Sequence, residues 1–400
     1  MKAMVPDITF EKADQAVQLM KQNGIDSWLI LTREGSDPAL PLLVGIRSVH
    51  MAAIFLRSNG EHLALTSVSD RGSYEAIGLF HRILTYEASM EESFLNIFNQ
   101  LNPQKVALNI SESDHLCDGL TQGMYLWLEK VLGRNRLQQI ETSSERLLKK
   151  LRSIKTHSEI EQIQQAITMT TEIYQVVFGQ IVCGMTEIEI GDLFVQEMKR
   201  RGASNGLGHP HGPPLVCIVR KGLAHRKPAS HVTKPGDLLI IDFSLKLNDY
   251  VSDIARTCYF LPEQETYPPV EVQHAFNTAI AAIDASIESL LPNKAGFEVD
   301  AAGRKVIEEA GYPTIRHSVG HQVGRETHDG GTILGPKRIP IRPEVEGVIA
   351  AGEIYAIEPT VIQDNGLPCI LVEENVLVTE QGPLILSERQ TELVIIESGR

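Results

Sequence analysis

A chain of 400 residues, 42% hydrophobic and 22% charged, has the composition of a globular protein and the length for two domains, each burying its own core. Its formal net charge of −14 and isoelectric point near 5.4 speak against a nucleic-acid surface and for small or cationic ligands. No apolar run reaches membrane-spanning length, and charges interrupt the opening MKAMVPDITFEKADQ before a signal-peptide core forms. The expectation is a cytoplasmic protein with no membrane partner.

In chain order, FEKADQAVQLMKQNG (10–24) has the periodicity of an amphipathic helix ended by Gly24, and DSWLILT, MAAIFLR and HLALTSV read as strands. Residues 1–145 are therefore expected to form a small α/β domain, followed by a second domain over 146–400. A polar stretch from Glu141 leads into a long helix, which Thr156 and Glu159 should cap as a capping box. GMTEIEIG (184–191) and GFEVDAAG (296–303) share their glycine spacing, each opening a helix that ends in Gly202 or Gly311, which hints at an internal duplication. His209 and His211 in GHPHGPP read as histidines of a surface loop. Cys117, Cys183, Cys217, Cys258 and Cys369 lack CxxC spacing and read as reduced core thiols.

Acidic residues interrupt several strand-like runs. IIDFSLKLNDYVSDIARTCYF (240–260) predicts a hairpin with its turn among Leu247, Asn248 and Asp249. A turn centred on Leu247 and Asn248 places Asp242 directly opposite Asp253, where like charges destabilise unless a cation lies between them. HSVGHQVGRETHD carries His317, His321 and His328; YAIEPT carries Glu358; ILVEENVLV carries Glu373 and Glu374. Glu374, next to Glu373, should face the other side of its strand and be solvated or salt-bridged.

Asp242, Asp253, one of the histidines, Glu358 and Glu373 would gather four carboxylates and an imidazole, too many buried anions to stay ionised without cations. Two divalent ions balance that charge, and an oxygen-rich set with one histidine suits Mn2+ or Co2+ ahead of Zn2+.

In order and spacing these five motifs resemble the pita-bread metallopeptidases, the family of methionine aminopeptidase, Xaa-Pro aminopeptidase and prolidase. The likeness covers about residues 150–400, and the amino-terminal region resembles the creatinase/prolidase amino-terminal domain, which selects the proline-peptidase branch. The resemblance implies an α/β (α+β) chain: a small α/β domain, then a pita-bread catalytic domain with a pseudo-twofold internal repeat. It implies that Asp242, Asp253, His321, Glu358 and Glu373 bind the metals, with Asp253 and Glu373 bridging, and that Glu358 also shuttles a proton. His225 and His328 would act at the substrate carbonyl while a metal-bridging hydroxide attacks it, and the protein would be a homodimer. The substrate implied is a peptide with proline next to its amino-terminal residue, cleaved by an Xaa-Pro aminopeptidase. The alternatives are an Xaa-Pro dipeptidase, or a creatinase-like or peptide-binding member of the fold. Four positions depart from the family's usual residues: Ser244, Gln322 and Thr360 stand where glycine or another small residue is common, and Leu371 stands where an arginine is common.

Overall fold

The computed structural model describes residues 5–45, 49–222, 226–364 and 367–398. The chain divides into two compact units, Met1–Arg152 and Ser153–Arg400.

The first unit is built on a six-stranded sheet of β1 (Ser27–Thr32), β2 (Ala52–Arg57), β3 (Leu63–Ser67), β4 (Arg82–Tyr86), β5 (Val106–Leu108) and β6 (Glu141–Ser143). Their order across the sheet is β4-β3-β2-β1-β5-β6. Because successive side chains alternate between faces, Trp28, Ile30 and Ile54 enter one apolar cluster with Ala16 and Met20 of the helix Val5–Gln22. Leu29, Leu31 and Phe55 enter another with Phe94 and Phe98 of the helix Glu91–Leu101. Burial on both faces explains why SWLILT is nearly all apolar rather than alternating.

In the second unit two helices and then a sheet occur twice. The helices His157–Phe178 and Glu187–Arg201 precede a five-stranded sheet of β7 (Ser204–Asn205), β8 (Leu215–Ile218), β9 (Leu238–Leu247), β10 (Tyr250–Leu261) and the late strand β15 (Val394–Glu397). The helices Val270–Ser289 and Gly296–Glu309 precede an antiparallel sheet of β11 (Gly320–Gln322), β12 (Ile354–Ile357), β13 (Glu374–Thr379) and β14 (Gly382–Ile385). The capping box at Thr156 forms: Glu159 N donates to the threonine hydroxyl at 3.4 Å, and the Thr156 amide donates to Glu159 Oε2 at 2.8 Å. One apolar cluster joins Ile240 and Tyr259 of the first sheet, Phe276 and Ile283 of a helix, and Tyr355 and Val376 of the second sheet. All five cysteines are free, four of them buried.

The β9–β10 hairpin departs from its expected register. Asn248 and Asp249 form the two-residue turn, with φ of 50° and 67°, so Asp242 pairs with Ala255 and Asp253 pairs with Ser244. A type I′ turn needs positive φ at both central residues, which Asn and Asp tolerate and Leu247 resists. The two aspartates are consequently diagonal neighbours on one face, not directly opposed.

Candidate metal centre

Each expected ligand sits where a strand places it. Asp242 lies on β9 and Asp253 on β10. His321 lies on β11 opposite Ala356 of β12. Glu358 and Glu373 extend the β12–β13 register one step past its last pair, Ile357 and Glu374. β11 comes this close to β12 because residue 320 is glycine; a Cβ there would stand 2.3 Å from Ala356 O.

The two sheets meet at a hydrogen-bonded seam directly behind these residues. Glu373 N donates to Ala255 O at 3.1 Å, Asp253 N donates to Asn375 Oδ1 at 3.1 Å, and Asn375 Nδ2 donates to Asp253 O at 2.7 Å. Arg256, buried, donates to Glu373 O at 2.8 Å and pairs with Glu374 Oε2 at 3.3 Å. Glu374 thus faces away from Glu373, as strand alternation requires, and is buried and salt-bridged rather than solvated. Arg256 and Asn375 escaped sequence reasoning, although a cation in the apolar run DIARTCYF was the available signal.

Donor atoms of Asp253, His321 and Glu373 all lie within 4.8 Å of one another. His321 Nε2 is 3.5 Å from Asp253 Oδ2 and 3.7 Å from Glu358 Oε1. Burial, reinforced by the Asp242 carboxylate, pushes Asp253 well above the usual carboxylate range, with only the Ser244 hydroxyl pulling it down. Burial and then Asp242 and Asp253 do the same to Glu358. Glu373 is raised by burial and by all three neighbours, against a smaller downward pull from Arg256. His321 is pushed down to about 3, by burial first and the His328 ring next, so its imidazole is neutral at ordinary pH. Its Nδ1 lies 3.3 Å from the Gln322 carbonyl; donation there leaves the Nε2 lone pair facing the carboxylates.

Glu373 Oε1 is buried without a hydrogen-bond partner among the described residues. An orphaned carboxylate oxygen among mutually repelling carboxylates and a neutral imidazole lone pair is a donor set in want of cations, and it fits divalent metal ions.

The other candidates fall outside this cluster. His328 is exposed, with its ring centroid 4.4 Å from that of His321, so it stands at the open side of the site. His317 is half-buried, with Nδ1 2.6 Å from Ser318 O. His209 and His211 are exposed on their loop. His225 lies outside the described residues. Leu371 is 2% exposed within the apolar cluster.

Residues 161–380 match the sequence profile of metallopeptidase family M24. The chain is 24% identical over 395 residues to a Xaa-Pro dipeptidase of Pyrococcus horikoshii, covering 97% of this chain and 100% of that one. Its fold is similar to those of a Xaa-Pro dipeptidase from Bacillus anthracis (TM-score 0.76, 22% identity, 97% and 100% of the two chains) and an X-Pro aminopeptidase from Thermotoga maritima (TM-score 0.73, 22% identity, 96% and 99%).

Proposed function

The chain belongs to metallopeptidase family M24 and is a hydrolase; from that premise we propose that it removes the amino-terminal residue from peptides whose second residue is proline. The observation that carries this reading is the buried cluster of Asp253, His321 and Glu373, with Asp242 and Glu358 beside it. The choice of proline follows the full-length likeness to proteins named Xaa-Pro dipeptidase and X-Pro aminopeptidase.

In this proposal Asp242, Asp253, His321, Glu358 and Glu373 hold two divalent ions, with Mn2+ or Co2+ favoured by the oxygen-rich donor set. Bound there, the ions supply Lewis-acid polarisation of the scissile carbonyl and activation of water. The chain's own groups do the rest. Glu358 sits at the edge of the cluster, with Oε1 3.7 Å from His321 Nε2, and as a carboxylate it would take a proton from the attacking water and deliver it to the leaving proline nitrogen. His328, exposed beside His321, would donate to the carbonyl oxygen as charge develops on it. His225 is assigned the same task on resemblance alone. Homodimerisation and a cytoplasmic location belong to the same proposal; among the described residues no helix is long and apolar enough to cross a membrane.

Aminopeptidase rather than dipeptidase action is favoured by Leu371, which packs in the apolar cluster at a position where an arginine is common in the family. A dipeptidase must hold the carboxylate of the product proline, a task suited to arginine. Arg316 pairs with Asp364 at 3.2 Å, Arg338 donates to Ile315 O at 3.1 Å, Arg342 donates to Ser318 Oγ at 3.1 Å, and Arg325 lies 4.9 Å from the Tyr250 ring centroid. The test compares Xaa-Pro dipeptides with Xaa-Pro-Xaa peptides in Mn2+. Higher kcat/KM for the longer series supports the proposal, preference for dipeptides makes the enzyme a prolidase, and no cleavage of either refutes proline specificity.

A further inference from the structure

Ser244 is buried at 1% exposure and stands directly across the hairpin from Asp253, itself 4% exposed. Its hydroxyl donates to Asp253 Oδ1 at 2.5 Å, while the other oxygen, Oδ2, lies 3.5 Å from His321 Nε2. One hydrogen bond therefore fixes which carboxylate oxygen is turned inward. The serine is held in turn: Gly206 N donates to Ser244 O at 2.8 Å. A Cβ at Gly206 would stand 3.2 Å from Ser244 Cβ and 2.9 Å from Val251 Cγ1. Only bare backbone can press so close. Thr327 Oγ1 donates to Gly206 O at 3.0 Å, so the segment bearing His328 is fastened to the same support.

We propose that Ser244 is a positioning residue for the metal centre, holding the Asp253 carboxylate with one oxygen turned inward before an ion arrives and so raising ion affinity. The inference rests on the metal-binding reading above. An ion entering a cluster whose donors already point inward meets a smaller ordering cost than one that must first arrest a freely turning carboxylate. A donor to a ligating carboxylate also acts through that ligand, and removing such a partner typically lowers affinity about 10- to 100-fold.

The experiment titrates Mn2+ calorimetrically into the metal-free full-length chain as wild type, Ser244→Ala and Ser244→Cys, after a cooperative thermal transition has verified the fold of each. The expected order of affinity is Ser, then Cys, then Ala, because a thiol of similar size donates only weakly, with Ala weaker than wild type by about 10- to 100-fold. Equal affinity of Ser244→Ala and wild type overturns the inference, as does a Cys variant as tight as wild type, which would assign the loss in Ala to packing rather than to the hydrogen bond. Failure of the wild type to bind Mn2+ would instead remove the metal-binding reading on which the inference stands.

Discussion

At the scale of single residues, Glu373 shows what the proposed metal site would cost the protein without ions. Its Oε1 is buried and unpartnered, and three neighbouring carboxylates act on it. Glu373→Gln removes one repelling charge while keeping the shape. The metal-free variant should melt higher than metal-free wild type, by about 2–4 °C for each kcal/mol relieved, and should lose the gain that Mn2+ gives the wild type; differential scanning calorimetry measures both. His328 is expected to behave differently, being exposed beside the cluster. His328→Ala should lower kcat by roughly 10²- to 10³-fold with metal content unchanged by elemental analysis, and loss of an ion would make it a ligand. In the first unit Asp37, 1% exposed, is raised to about 6, chiefly by burial. A folded value above the unfolded 3.8 means that the native state binds more protons between the two, so stability is highest at acidic pH and falls as pH rises towards 6. Chemical denaturation followed in this unit from pH 4 to pH 7 should show that decline. Asp37→Asn should flatten it while lowering stability throughout, because its amide would face Asn109 Nδ2, now 2.9 Å from both carboxylate oxygens.

At the scale of elements, the two sheets of the second unit are joined where their chemistry lies. Arg256 of β10 reaches the Glu373 carbonyl and the Glu374 carboxylate on the strand side away from the cluster. Ser387 Oγ and Gln390 N also donate to Glu374. Without the guanidinium, Glu374 becomes an unpaired buried charge, so Arg256→Met should destabilise the second unit by about 3–5 kcal/mol in equilibrium denaturation. Adding Glu374→Leu should recover much of that loss, because removing both partners leaves no stranded charge. A double variant as unstable as the single one would assign the cost to the carbonyl bonds instead. The hairpin is the other decisive element: its Asn248–Asp249 turn sets the diagonal relation of Asp242 to Asp253.

For the whole chain, the proposed ion binding should be coupled to folding, because the candidate ligands on β9, β10, β11 and the ends of β12 and β13 converge only when the second unit is folded. Mn2+ at about 100 times its Kd should therefore stabilise that unit by about 2.7 kcal/mol per site, and a chelator should reverse the gain. A melting curve indifferent to both would argue against the metal centre.

The sequence by itself determined much of this protein. Strand-like runs broken by carboxylates, a histidine in a glycine-rich stretch and their order along the chain identified the family and the donor types, because a buried anion in an apolar strand demands a partner wherever the strand lies. Helix starts were equally legible, since the Thr156 capping box is a local pattern satisfied within four residues. The hairpin register was not: shifting the turn by a single residue seats Ser244, rather than Asp242, opposite Asp253, and that choice rests on backbone angles at Asn248 and Asp249. Nor did the sequence reveal that Ser244 would become the donor to Asp253, that Arg256 would close the seam, or that Leu371 would pack into the core. The first follows from the hairpin register nine residues across the turn, the others from atoms that approach from strands more than a hundred residues away, and only the tertiary structure decides either.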